Sequence, residues 1–354
     1  MIINEFEYFP FSLNLKTPFQ NSNHTLYERK GFIIKAQDEF GNIAFGECSP
    51  LPDFSKESLN DAQNDIIRLN KNGLFNLPTD LDDIEKELDI YNLYNSVRFA
   101  FEQIIISLLL MQDRVSVIKY FGGMKSSINV NSASGFGDLE TLLGRISKKL
   151  YEGYKTIKLK VGRDDTREDH ILLEETRLRF GKNFYLRIDA NRKWSCDEAI
   201  EYLDRFKEFD IQYVEEPCEY CCSTIKTMDF SFIPIALDES LGSFEEALSL
   251  LHSCRAEFFV IKPMVLGSMI KTFKFMREAE QLNKNVVISS AFESAIGKSG
   301  IVFLASLTRH NYAHGLDTLE YFEKDLCTDF YNVNKGIIAF NINTYPLKCD
   351  FELI

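Results

Sequence analysis

Two textures divide the chain. In TLYERKGFIIKAQDEFGNIAFGE two apolar stretches flank DEFGN, which predicts antiparallel strands joined by a hairpin. From Ser58 to about Leu110 the apolar residues recur at helical spacing, as in NDAQNDIIRLNKN and SVRFAFEQIIISLLL. Strands followed by helices predict an α+β unit. After Gly123 short apolar runs recur, each followed by an amphipathic stretch. The predicted strands are SINVNS (127–132), TIKLKV (156–161), YLRID (185–189), IQYVEE (211–216), IPIALD (233–238), EFFVIK (257–262), NVVISS (285–290) and NYAHGLD (311–317). Eight strand–helix repeats of roughly 22 to 30 residues are what a (β/α)8-type barrel requires. No Gly-rich phosphate loop follows any of them, so a nucleotide fold lacks support. The segment after Asp317 is too long for a final barrel helix and is expected to pack back on the first domain.

Charge falls at the ends of these strands. Lys160, Asp189, Glu215, Asp238 and Lys262 close the second to sixth barrel strands in turn. In this fold the C-terminal strand ends converge on one mouth. A single charged residue at a strand end reads as a solvated cap, but five in successive repeats read as a ring. Three consecutive carboxylates suit a hard cation such as Mg²⁺, and no His or Cys at these positions favours zinc. In KLKVG, Lys158 and Lys160 point to the same face with Cα atoms roughly 6.6 Å apart. Burying both is unfavourable unless anions lie nearby. Their repulsion, with a cation, is expected to lower the pKa of one of them, leaving an amine able to take a proton from a carbon beside a carboxylate.

Composition narrows the partners. A length of 354 residues suits two domains, and the 45% hydrophobic content is that of a globular protein. A net charge of −13 argues against nucleic acid as a partner. The N-terminus MIINEFEYFPFSLNL is acidic where a signal peptide is basic, and the apolar run 104–111 is far short of a membrane span. A cytoplasmic location and no membrane partner are therefore expected. The eight cysteines are scattered, and Cys218, Cys221 and Cys222 lack the second paired motif of a zinc site, so they read as thiols in a loop.

With these residues in view, the sequence resembles the enolase superfamily in its muconate-lactonizing branch. KLKVG (158–162), RIDANRKW (187–194), YVEEP (213–217), ALDES (236–240) and IKPMVLGS (261–268) are similar to its successive strand motifs. The resemblance implies a modified TIM barrel, (β/α)7β, over 123–319. It also implies an α+β capping domain over 1–122, completed by 320–354. Asp189, Glu215 and Asp238 would be Mg²⁺ ligands, and Lys160 and Lys262 acid/base residues on opposite faces of a small carboxylate substrate. Glu216 and Glu239 would support two of the ligands from behind, and Lys158 would assist beside them. Within the branch, GECSPLPDFSKES (46–58), NSVRFAFEQ, SSAFESAIG and HGLDT resemble the o-succinylbenzoate synthase family. That likeness makes the loop 49–55, with Phe54, a lid over the site, while Asn191 and Ser290, just beyond strand ends, read as substrate contacts or turn residues.

The reaction implied is the dehydration of 2-succinyl-6-hydroxy-2,4-cyclohexadiene-1-carboxylate to 2-succinylbenzoate, through an enediolate, in menaquinone biosynthesis. The racemases with a His–Asp dyad place a histidine at the end of the seventh strand, where this chain has VVISSAFES. Dipeptide epimerases carry an acidic D-x-D pair where this chain has GLDT. N-succinylamino acid racemisation would use the same lysines and metal and is not separated by these motifs. A catalytically dead carboxylate-binding relative is the alternative outside enzymes, and the intact set of charges argues against it. Nothing in the sequence specifies an oligomeric state.

Overall fold

The computed structural model describes residues 1–20, 25–72, 76–219 and 233–346. The chain begins with three antiparallel strands, β1 (Ile3–Gln20), β2 (Thr25–Asp38) and β3 (Ile43–Cys48), paired in that order. The predicted hairpin is β2–β3, and Phe6 of β1 with Phe32 and Ile34 of β2 supply buried side chains of the sheet's core. Helices α1 (Leu59–Asn72), α2 (Leu81–Ile90), α3 (Asn95–Gln112) and α4 (Arg114–Phe121) follow. In α3 every residue from Ser96 to Leu110 is buried, because β3 covers one side and the barrel helices the other. Gly46 makes that fit possible: a Cβ there would sit 2.1 Å from the Ala100 carbonyl oxygen. The helix therefore lies with its backbone directly on the sheet.

The barrel strands are β5 (Ser132–Ala133), β6 (Thr156–Lys160), β7 (Tyr185–Asp189), β8 (Ile211–Glu215), β9 (Ile235–Leu237), β10 (Phe258–Ile261) and β11 (Asn285–Ile288). They form one parallel sheet in chain order. Helices α5 (Leu139–Tyr151), α6 (Thr166–Phe180), α7 (Cys196–Phe206), α8 (Phe244–Ser253), α9 (Met269–Gln281) and α10 (Ala295–Ser306) alternate with them. The ring closes through two isolated bridges, Ser289 to Gly315 and Val130 to His314. The eighth predicted strand is thus reduced to His314 and Gly315.

SINVNS also departs from expectation. Its first half, β4 (Ser127–Asn129), pairs antiparallel with β13 (Ile337–Ala339) beneath the barrel, and β12 (Val333–Asn334) extends that sheet. Ser132–Ala133 pairs with β6 in the barrel sheet, and Val130 reaches the ring through its bridge to His314. Of the C-terminal segment, Phe322 bridges Leu15 of β1, whereas Val333–Ala339 lies at the barrel floor. Among the described residues no helix is long and apolar enough to cross a membrane.

Candidate active site

Strand register builds the site. Lys160 pairs with Asp189 across β6–β7, and Asp189 with Glu215 across β7–β8, so three strand-end charges share one level. Asp238 and Lys262 lie just beyond the ends of β9 and β10. The side chains meet. Lys158 Nζ donates to Asp189 Oδ2 at 3.0 Å and to Glu215 Oε1 at 2.8 Å. Lys160 Nζ donates to the same Asp189 oxygen at 2.8 Å and to Asn191 Oδ1. Lys262 is ion-paired with Asp238. Asp189 and Glu215 are each 1% exposed, so these pairs operate out of bulk water.

The electrostatics follow from that packing. Burial raises the pKa of Asp189, but Lys158 and Lys160 outweigh it and the carboxyl lies below its usual range. Glu215 goes the other way. Burial dominates, with Asp189 and Asp238 adding repulsion, and its pKa rises to about 7. Asp238 and Glu239 are also raised, chiefly by burial. The expected lowering does not occur at Lys158. Burial disfavours its ammonium, but Asp189 and Glu215 more than compensate, and its pKa stands well above the usual lysine value. Lys262 is raised in the same way, burial being outweighed by Asp238 and Glu239. Lysine–carboxylate attraction prevails because Lys158 Nζ lies within 3.0 Å of oxygens of two carboxylates, Asp189 and Glu215.

Behind this ring, Glu216 accepts from the amides of Asp238 at 2.9 Å and Ser240 at 2.7 Å, and pairs with Arg192 at 3.1 Å. It therefore fixes the loop that carries Asp238. Asn191 Nδ2 donates to Glu239 Oε1 at 2.7 Å. Asn191, Arg192, Glu216 and Phe292 all have left-handed backbones, with φ of 44°, 60°, 39° and 61°. Such conformations in residues with a Cβ persist where surrounding bonds over-determine them, and they collect at functional loops.

The donor set fits a hard divalent cation. It is three carboxylates, Asp189 and Glu215 buried and Asp238 half-buried, and among the described residues Glu215 Oε2 and Glu239 Oε2 lack a hydrogen-bond partner. Among the described residues the carboxylates do not converge into a closed ligand cluster. Each is turned onto a lysine instead, the arrangement opposite charges adopt at this range.

A cavity of about 730 Å³ opens over these groups, lined by Lys158, Lys160, Asp189, Glu215, Asp238 and Lys262. The loop after β3 covers it. Phe54 lies under the Lys262 ammonium, 4.4 Å from ring centroid to Nζ, and Leu51 packs with Val265 and Ala291. Ser290 lines the cavity too, but its hydroxyl is committed to the turn. It donates to Glu293 Oε2 at 2.5 Å and accepts from Thr318 Oγ1 at 2.8 Å and the Phe292 amide at 3.0 Å. Tyr213, Val260, Val287 and Asp317 also line the cavity and were not singled out from sequence. The first two sit two residues before Glu215 and Lys262, at the next inward position of their strands, a signal that period-two counting offers. Asp317 accepts a hydrogen bond from Tyr154 Oη at 2.5 Å. Cys218 is buried, while Cys221 and Cys222 lie outside the described residues.

Residues 143–342 match the family described as "Enolase C-terminal domain-like", and residues 3–84 match "MenC, N-terminal domain". The chain belongs to the enolase superfamily. Among curated proteins it is similar to o-succinylbenzoate synthase of Aliivibrio fischeri, with 28% identity over 311 residues, 87% of this chain and 88% of that one. It is also 28% identical over 340 residues to "Protein PHYLLO, chloroplastic" of Arabidopsis thaliana. There the match covers 85% of this chain but spans only 20% of the longer protein. Among solved structures, a dipeptide epimerase from Cytophaga hutchinsonii, complexed with Mg and D-Ala-L-Val, superposes with a TM-score of 0.84 at 25% identity. That alignment covers 96% of this chain and 93% of the other.

Proposed function

We propose that the chain is an o-succinylbenzoate synthase, a hydro-lyase that converts 2-succinyl-6-hydroxy-2,4-cyclohexadiene-1-carboxylate to 2-succinylbenzoate. The observation that carries the reading is the match of residues 3–84 to the MenC N-terminal domain, because that domain supplies the lid over the lysine and carboxylate ring. Asp189, Glu215 and Asp238 are the residues that would hold Mg²⁺, as the Mg-bound epimerase relative suggests. Bound there, the cation supplies positive charge against the negative charge that builds on the substrate carboxylate during proton removal.

The chain's own residues carry the proton. Lys160 Nζ lines the cavity, where Asp189 and Asn191 orient it, and it takes the proton from the carbon bearing the carboxylate. To act it must first give one up, so the resting ion pair with Asp189 has to loosen when substrate and cation arrive. Loss of the ring hydroxyl follows, with Lys160 returning its proton to the departing oxygen. Lys262, just beyond the end of the separate strand β10 and backed by Phe54, stays charged and stabilises the electron-rich intermediate from the other side. Aromatisation drives the step forward, so the demand on the enzyme is mainly proton abstraction.

A second reading is N-succinylamino acid racemisation. It is favoured by two lysines opening on one cavity, which would serve proton removal and return equally well. Purified protein with Mg²⁺ should be given the cyclohexadiene substrate and N-succinyl amino acids in parallel. Dehydration at the higher kcat/KM is expected. Racemisation without dehydration would overturn the assignment.

A further inference from the structure

A buried ionic cluster lies outside the lysine and carboxylate ring, at the seam between cap and barrel. Arg29, on β2 of the cap, is 1% exposed. Its fork joins two other chain segments. Nη1 donates to the Pro50 carbonyl at 2.7 Å, Nη2 to the Ser49 carbonyl, and Nε to the Ala291 carbonyl at 3.2 Å. Ser49 and Pro50 begin the lid, whereas Ala291 follows β11 in the barrel. Glu47 and Glu293, both fully buried, lie beside the guanidinium.

These two acids extend the tie. Glu47 accepts from Ser49 Oγ at 2.7 Å within the lid. Across the seam it accepts from the amides of Ser294 at 3.0 Å and Gly297 at 3.0 Å, at the start of α10. An anion at a helix N-terminus is stabilised by those free amides. Gly297 is needed for the approach, since a Cβ there would lie 2.8 Å from Glu47 Oε2. Glu293 receives the hydroxyl of Ser290, which lines the cavity. One guanidinium thus joins the lid that carries Phe54 to the barrel loop that carries Ser290 and Phe292.

We infer that Arg29 is a positioning residue, which clamps the lid 49–55 to the loop after the seventh barrel strand and so holds Phe54 against Lys262. Arg29 does not line the cavity over the lysine and carboxylate ring. A guanidinium suits the task because its donors reach carbonyls at both ends of a planar fork. Lysine at this site keeps a charge beside Glu47 and Glu293, but one nitrogen cannot reach Ser49, Pro50 and Ala291 together. The inference uses the catalytic reading above only for its kinetic consequence. The clamp itself is read without substrate.

The experiment is hydrogen exchange on the full chain, wild type against Arg29→Met and Arg29→Lys, with steady-state kinetics alongside. Amides of 49–55 should exchange at least about tenfold faster in the variants, while those of β6 and β8 stay at wild-type rates. KM should rise about tenfold with kcat changed by less than about threefold, and Phe54→Ala should add little further in an Arg29 variant. If Arg29→Met does not fold, Arg29→Lys alone decides. Wild-type exchange over 49–55 overturns the clamp, and so does acceleration spread equally over β6 and β8, which would make Arg29 a general stabiliser. Failure of the dehydration assay with faster lid exchange would count against the proposed reaction and leave the clamp standing.

Discussion

The mouth of the barrel and the layer beneath it use the same strands for opposite purposes. On β7, Asp189 faces the mouth, and Arg187, two residues earlier on the same face, lies one layer deeper. Arg187 is completely buried, donates to Ala313 O at 2.8 Å, Asn131 Oδ1 at 3.2 Å and Gln212 Oε1 at 2.7 Å, and stacks on Tyr213 at 4.5 Å. Its partners are backbone and amide oxygens rather than ions, and among the described residues its Nη2 has no hydrogen-bond partner. Nearby, the fully buried His314 accepts from the Ile288 amide, and the half-buried His310 bonds to Val286 O. At the mouth the partners are ions that can be exchanged for one another, and acceptors such as Glu215 Oε2 are left over. A layer held by neutral, directional partners gives rigidity. A layer of exchangeable ion pairs can admit a cation and a substrate without rebuilding the fold.

The largest effects should come from breaking the mouth. Asp189→Ala, Glu215→Ala or Asp238→Ala should abolish turnover with the circular dichroism spectrum retained, and EDTA should do the same to wild type, reversed by Mg²⁺. Full activity in metal-free protein would remove the metal from the reaction. Next come the lysines. Lys160→Arg should lower kcat by about 10³-fold or more, because arginine keeps the charge but cannot give up its proton near neutral pH. Lys262→Arg should keep measurable dehydration. The reverse pattern would mean that the two lysines exchange roles.

The deeper layer should fail differently. Arg187→Met leaves three oxygen acceptors without a donor, and about 2 kcal/mol of stability should be lost, measured from the urea midpoint. A variant as stable as wild type would put Arg187 with the exchangeable groups. The histidines give the smallest, pH-dependent effect. Burial lowers the pKa of His310 from 6.5 to about 4, and that of His314 well below 6.5. Below pH 6.5 the unfolded chain takes up protons that the folded chain refuses, so this stability is present above 6.5 and lost as pH falls towards 4. For His310 the cost at pH 5 relative to pH 7 should be about 2 kcal/mol. Buried acids with raised pKa values act in the opposite sense, so the test is the difference between wild type and His310→Gln. Equal pH slopes for the two would discard the histidine contribution.

The ring of charges could be read in the sequence because each strand–helix repeat returns the chain to the same mouth. Lys160, Asp189, Glu215, Asp238 and Lys262 are separated by one repeat each, and period-two alternation identifies the inward face. What repeats cannot give is which ammonium meets which carboxylate. Lys158 bridges Asp189 and Glu215 because of side-chain reach, and the sign of its pKa shift follows from that contact rather than from its neighbour Lys160. Arg29, Glu47 and Glu293 carried no signal for a related reason. Arg29 reads as one polar position on an alternating strand, and its barrel partner Ala291 is 262 residues away. The eighth strand was over-read: NYAHGLD has strand composition, but only His314 and Gly315 bridge the gap between β11 and Val130. SINVNS was over-read as well, because one apolar run serves two sheets.

The pairing of β4 with β13 bears on how the chain acquires its shape. Residues 127–129 find their partners at 337–339, so the floor beneath the first barrel strand is completed by chain made some two hundred residues later. Local strand–helix units can form as they are synthesised, but this sheet must wait, and closing so long a loop is slow. During that interval the edge of β4 offers unpaired backbone to any passing strand. Truncation within 333–339 should accordingly lower the yield of soluble protein far more than its small contribution to the finished core would suggest.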